Sequence, residues 1–335
     1  MSKFIQKDYI MKTALITGAT GFMGASLCKS LHERGYEIRV LVFPGESLTH
    51  IQQFITEVRE GDITQPETLK GIGDAIDVVY HLAARVVDHG TREQFYHPIV
   101  EGTRNILNAC AGSAGRFVYI SSICACGIGR HMKGITETSP CIKTGIYYGD
   151  AKLEAEKIVN SFKGRFPNGW VIVRPANVTG PRSVWVNEVG EMFQKSIVTL
   201  FDRGKYSASL IYIDNLIDGL ILAGERTEAA HQTYFFRDDW QVTWKQYLTD
   251  LSAMLGKRPR FSMPFGLAWS LGALSETVSR LLGIRPMVTR HAVGLMGRNN
   301  DVDTSKAQTQ LGWNTRITYQ EAMKNIQQWV KKSML

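Results

Sequence analysis

Two side chains four residues apart, Tyr148 and Lys152 in YYGDAKLEAEKIV, are where acid–base chemistry is legible. Leu153, Ile158 and Val159 with interleaved charges make this stretch a helix, and helical residues four apart share one face. An ammonium beside a phenol favours the phenolate. A phenol brought from about 10 towards ~7, a change of about 4 kcal/mol, exchanges protons near neutrality. Ser122, at the tip of the apolar run Phe117 to Ile120, can bond a substrate oxygen from the opposite side. With 12 tyrosines in the chain, a lone Tyr-x-x-x-Lys pair is weak evidence. The informative fact is its combination with that serine and with a glycine turn at the start of the chain.

The glycine turn lies in TALITGATGFMGASLCKSLHERG, residues 13 to 35. Ala14, Leu15 and Ile16 suit one buried strand, Gly18, Gly21 and Gly24 form the turn, and Leu27 with Leu31 begins a helix closed by Gly35. Glycine brings the main chain close to a pyrophosphate and aims the helix N–H groups at it, so the expected ligand is a dinucleotide.

The elements that must hold these groups follow in order. A second strand, Glu37 to Phe43, ends where an acidic residue would bind the ribose of NAD and an arginine the extra phosphate of NADP. Phe43 does neither, and Arg39 and His50 are the nearby cations, so NAD and NADP both stay open. A third strand near Glu57 to Arg59 leads to Gly61, Asp62 and Ile63, where Asp62 either accepts from an adenine amino group or shapes a turn. Strand four, Asp77 to Tyr80, runs into His81, Leu82, Ala83 and Ala84, small enough for a cofactor to lie against the backbone. A helix from Gly102 and Thr103 through Ala109 precedes strand five. Strands alternating with helices predict an α/β fold with a doubly wound parallel sheet, whose ligands sit at the carboxyl ends of the strands. Gly18 to Gly24, Asp62, Ala83 and Ser122 then fall along one crevice.

Composition narrows the class. The chain has 335 residues, 44% hydrophobic, with room for a large domain and a smaller lobe. Its formal charge of +8 is scattered, which argues for a solvated surface around an anionic cofactor and not for nucleic acid. No uncharged apolar run is long enough to span a membrane, and the N-terminus lacks a secretion signal, so the cytoplasm is the default location. Met1 to Ile10 precede the first strand, and reading could begin at Met11. Cys28 and Cys110 sit in apolar helical patterns, while Cys124, Cys126 and Cys141 lie nearer the site in a poor zinc pattern. Reduced thiols and no metal are expected.

Taken together, TGATGFMG at 17–24, GDIT at 61–64, HLAA at 81–84, EGT at 101–103, YISS at 119–122, TETSP at 136–140, the Tyr148/Lys152 pair and RPANVTGP at 174–181 resemble an extended short-chain dehydrogenase/reductase from Thr13 to about Trp329. The resemblance implies that Tyr148 is the proton donor or acceptor, Lys152 holds the nicotinamide ribose, and Ser122 positions the reacting oxygen. It further implies that Gly18, Thr20, Gly21, Phe22, Met23 and Gly24 cradle the pyrophosphate, and that Phe43, Asp62 and Ile63 flank the adenosine. Leu82, Ala83, Ala84, Pro175 and Val178 would line the rest of the cofactor. Ile99 stands where the family carries asparagine, and Cys126 where it carries tyrosine.

The implied division is a Rossmann domain over 12–180 with a return segment at 209–236, and a substrate lobe from 181–208 and 237–331. The segment Tyr212 to Gly219 resembles the 3β-hydroxysteroid dehydrogenase branch. Ala208, Ser209 and Leu210 replace the diphosphate-gripping arginine motif of nucleotide-sugar epimerases, although Asn177 matches a position those enzymes use. Phe261 to Met296 is apolar, with Leu267, Leu271, Leu274, Val278 and Leu281 at helical spacing. That helix can floor a hydrophobic pocket, rest on a membrane surface, or pack on its own lobe. The expected activity is interconversion of a secondary alcohol and a ketone on an apolar small molecule of sterol, dihydroflavonol or 3-oxoacyl type. The alternatives are a nucleotide-sugar epimerase or dehydratase and a cofactor-sensing protein without catalysis. A homodimer through the long helices is compatible with the resemblance.

Overall fold

The computed structural model describes residues 12–187, 199–259 and 261–333. Short apolar runs give the strands β1 (Thr13–Thr17), β2 (Glu37–Val42), β4 (Val78–His81), β5 (Arg116–Ile120) and β7 (Trp170–Pro175), and the more polar β3 (Glu57–Glu60) and β6 (Met132–Ile135) lie among them in the chain. Six more follow: β8 (Asn177–Thr179), β9 (Thr199–Phe201), β10 (Leu210–Tyr212), β11 (Gln232–Phe236), β12 (Phe261–Met263) and β13 (Asn300–Val302). Seven of these form one parallel sheet in the order β11-β7-β5-β4-β1-β2-β3. Its middle strands are buried on both faces, which is why they read as continuous apolar runs without alternation.

The helices are α1 (Phe22–Glu33), α2 (Arg92–Tyr96), α3 (Gly102–Cys110), α4 (Tyr147–Ser161), α5 (Ile213–Glu225), α6 (Trp244–Ala253), α7 (Phe265–Leu282), α8 (Arg290–Met296) and α9 (Tyr319–Ser333). One core, including Ile16, Leu27, Val40 and Leu216, fills the α1 and α5 side of the sheet. A second, including Leu15, Ile106, Leu107 and Val159, fills the α3 and α4 side. The later residues build a third around Trp244, Tyr247, Leu248 and Ile326. The chain is therefore a doubly wound α/β protein with both sheet faces covered.

Three expectations change. Arg39 stays within the sheet: it pairs in register with Glu57 of β3, reaches its carboxylate at 2.6 Å, and donates to the carbonyls of Ile72 and Asp74. An opposite charge directly across the strands holds it there, away from any phosphate. Asn177 is also committed, its Nδ2 donating to the Ala208 carbonyl at 2.7 Å. The apolar stripe of α7 neither floors a pocket nor packs on its own lobe. Leu267, Leu274 and Leu281 are 54%, 61% and 81% exposed, whereas only Ala268 and Gly272 of this helix are buried. The packing face is made instead by Ala268, Gly272 and the rings of Phe265 and Trp269, and the backbone of Arg290 approaches Gly272 too closely for a larger side chain to fit there without displacement. Among the described residues, no helix is long and apolar enough to cross a membrane.

Candidate active site

Tyr148, Lys152 and Glu156 lie at successive i, i+4 positions of α4, so one helical face carries all three. This face meets the end of β5, where Ser122 in extended conformation caps the turn Ile123–Cys126 and accepts from the Cys124 N–H at 3.1 Å. Gly149 makes the approach possible, since a Cβ there would collide with the Cys124 carbonyl. Ser122 neighbours the Tyr148 phenol across this approach. Lys152 is buried, donates from Nζ to the Ile120 carbonyl at 2.7 Å, and lies 4.9 Å from the Tyr119 ring centre. Phenol, ammonium and hydroxyl thus converge on the tip of β5.

Their electrostatics correct the simple expectation of a lowered phenol. Burial, with Cys124 next, raises Tyr148 above the ordinary phenol value, and the neighbouring Ser122 hydroxyl only partly opposes this. Burial lowers Lys152 to about 7 against the opposing pull of Glu156. Desolvation of both groups outweighs their attraction, and the ammonium is directed to a carbonyl. Glu156 holds the base of this face: it accepts from Ser121 and forms a two-point ion pair with Arg174 at 2.9 and 2.7 Å. Removing one partner of such a buried pair strands the other charge.

The glycine turn lies at the same sheet edge. Gly18 has φ +71°, and a Cβ on it would come within 2.8 Å of the Ala83 nitrogen. A Cβ on Gly24 would fall 2.7 Å from Ala19 Cα and closer still to the Gly18 carbonyl. The backbone occupies the space that side chains would need, leaving the main-chain face before α1 free for a pyrophosphate. Thr17 and Thr103 sandwich the buried His81 at 2.7 and 3.1 Å, while Thr17 Oγ1 accepts from the Ala83 N–H. Burial, followed by the charge of Lys152, takes His81 down to about 3, so it is neutral.

On the adenosine side, Asp62 Oδ1 accepts from the backbone and hydroxyl of Thr64, each at 2.8 Å, and so shapes a turn. Ile63 packs against Gly102, and Phe43 stands 55% exposed at the end of β2. Pro175 ends β7, and Val178 is half-buried in β8. The structure adds Glu46, which accepts from Thr20 Oγ1 at 2.8 Å, while His50 meets the Thr20 carbonyl at 3.0 Å. Both lie in an irregular loop whose return over the turn had no periodic signal.

A cavity of about 330 Å³ opens beside Tyr148. The segment after β4 supplies Arg85 and Phe95, and the α7–α8 region supplies Arg280 and His291. Phe95 and His291 meet the Tyr148 ring edge-on, at centroid distances of 6.5 and 5.6 Å. Sequence reasoning missed both, and also missed Arg85, although it directly follows the HLAA motif. His291 is remote from Tyr148 along the chain and had no local signal. Cys126 and Cys141, expected as reduced thiols in a poor zinc pattern, are free thiols whose sulfurs approach to 2.8 Å. No cluster of candidate metal ligands occurs among the described residues.

A doubly wound sheet with a serine, tyrosine and lysine gathered beside its glycine turn defines a short-chain dehydrogenase/reductase scaffold. Residues 14–235 match the model of the NAD dependent epimerase/dehydratase family, and the chain belongs to that family. It is 28% identical over 330 residues to the 2-alkyl-3-oxoalkanoate reductase of Shewanella oneidensis, covering 93% of this chain and 85% of that protein. A putative dihydroflavonol 4-reductase from Synechocystis is 30% identical, with coverage of 89% and 88%. The fold is similar to that of UDP-glucose 4-epimerase from Thermotoga maritima, with a TM-score of 0.77, 20% identity, and coverage of 96% and 100%.

Proposed function

We propose that the protein is an NAD(P)-dependent oxidoreductase that interconverts a secondary alcohol and a ketone. The observation that carries this reading is the convergence of Ser122, Tyr148 and Lys152 beside a cavity at the carboxyl edge of the sheet. Gly18, Thr20, Gly21, Phe22, Met23 and Gly24 would hold the cofactor pyrophosphate, with Phe43, Asp62 and Ile63 at its adenosine. Leu82, Ala83, Ala84, Pro175 and Val178 would line the remainder. The bound dinucleotide supplies or accepts the hydride.

In reduction, the hydroxyls of Ser122 and Tyr148 grip the carbonyl oxygen, and Tyr148 gives it a proton as the alcohol forms. Lys152 would hold the nicotinamide ribose hydroxyls, and in its ammonium form it favours loss of the phenolic proton. Glu46 beside Thr20, with no cation at Phe43, opposes a further phosphate and favours NAD over NADP. The cavity is at the small end for ligand sites, which supports a 3-oxoacyl-type substrate over a sterol.

The test mixes purified protein, nicotinamide cofactor and panels of ketones and alcohols, and follows nicotinamide absorbance. Tyr148→Phe should lower turnover by about 10²–10⁴-fold and leave cofactor affinity within a few-fold. Turnover confined to nucleotide sugars without net cofactor consumption would replace this reading with an epimerase. Cofactor binding without any turnover would replace it with a sensor.

A further inference from the structure

Of the arginines that line the cavity beside Tyr148, two have no carboxylate partner among the described residues, and only one of those two, Arg85, is withdrawn from solvent. Arg290 is held by Glu276 through contacts of 2.9 and 2.8 Å, and Arg285 approaches Asp88 at 4.0 Å. Arg280 is exposed at the rim and donates to Tyr147 and Thr277. Arg85 differs from all three. It is half-buried, its guanidinium carbon lies 5.8 Å from the Phe95 ring centre, and its buried Nε has no hydrogen-bond partner. No acidic side chain among the described residues pairs with it. His291, which lines the same cavity, also keeps a buried Nδ1 without a partner.

The Arg85 Nε is sealed off, so an anion in the cavity would meet the terminal N–H groups of this guanidinium, whose charge no carboxylate among the described residues neutralises. Phe95 restrains the guanidinium plane and also abuts Tyr148, so a single ring separates the free cation from the proton-transfer residue. A planar fork of N–H donors matches a carboxylate. Asp88 and Glu276 on the same wall favour one negative charge over the several of a diphosphate.

We propose that Arg85 binds the carboxylate of the substrate, making the preferred substrate a hydroxy or oxo acid whose carboxylate lies a few bonds from the reacting carbon. The chemistry rests on the oxidoreductase reading above; the binding does not.

The test compares 3-hydroxyoctanoate with its methyl ester as alcohols to be oxidised, and measures octanoate binding by calorimetry. The wild-type protein should favour the acid by about 100-fold in kcat/KM, chiefly through KM, and Arg85→Gln should reduce that ratio by at least about tenfold. Arg85→Lys should keep part of the preference, and octanoate should bind the Gln variant at least about tenfold more weakly than wild type. Equal use of acid and ester by the wild-type protein overturns the proposal, as does a Gln variant that retains both the acid preference and octanoate affinity. If neither alcohol reacts but octanoate binding depends on Arg85, the oxidoreductase reading falls and the acid site stands. If other alcohols react while octanoate binding ignores Arg85, the acid site falls and the oxidoreductase reading stands.

Discussion

Among individual residues, burial holds the site in tension. Lys152 has a folded-state pKa of about 7, against the ordinary value near 10.5. Between those values the unfolded chain binds the extra proton, so this residue makes stability rise with pH across the window, by up to about 5 kcal/mol. Below pH 7 both states carry the charge, and the folded state bears the full desolvation cost. Lys152→Met should therefore flatten the rise from pH 7 to 10 and give a cofactor-free protein more stable than wild type at pH 6, as measured by urea unfolding at stepped pH. Such stabilisation with loss of function is expected where a charge is buried for chemistry. That Ser122, Tyr148 and Lys152 come together at the tip of β5 was legible from spacing. Their ionisation was not, because it depends on what surrounds them, and the carbonyl facing Lys152 belongs to Ile120 on another element.

Among the elements, the glycine turn shows how close packing fixes residue choice. At Gly24 a methyl group would meet Ala19 and Gly18 backbone, which has no rotamer with which to yield. Gly24→Ala should lower stability by about 1–3 kcal/mol and weaken dinucleotide binding by more than about tenfold, as read by thermal melting and fluorescence titration. Gly266→Ala at the start of α7, where nothing lies within 4 Å, should be neutral or slightly stabilising. The alternation of strands and helices was readable because the central strands β1, β4, β5 and β7 are buried apolar runs and the helices between them keep their period. Arg39 could be named only as a nearby cation for the same local reason: nothing in its own strand shows that Glu57 stands opposite in β3. The stripe of α7 likewise has a helical period that says nothing about which face is covered.

For the whole molecule, fold and site stand on different footings. Three cores and a seven-stranded sheet place the tip of β5, the glycine turn and the cavity at one edge. The cavity itself was largely hidden from the sequence, because Arg85 and His291 come from segments far apart along the chain. The same long-range convergence brings Cys126, next to the serine turn, to Cys141 on the approach to α4. Their sulfurs already lie near bonding range, and the Cys126 hydrogen bond, with help from Arg174 and Arg130, lowers the Cys141 thiol below its ordinary value. Peroxide can take one hydrogen from each thiol and leave as water while a sulfur–sulfur bond closes. Material purified in air should then be lighter than reduced material by two hydrogens, with the peptides of Cys126 and Cys141 joined in a non-reducing digest; two separate peptides after peroxide would refute this. Two preparations alike in sequence can therefore be different covalent compounds, and the bottle's history becomes a variable in every assay performed with it.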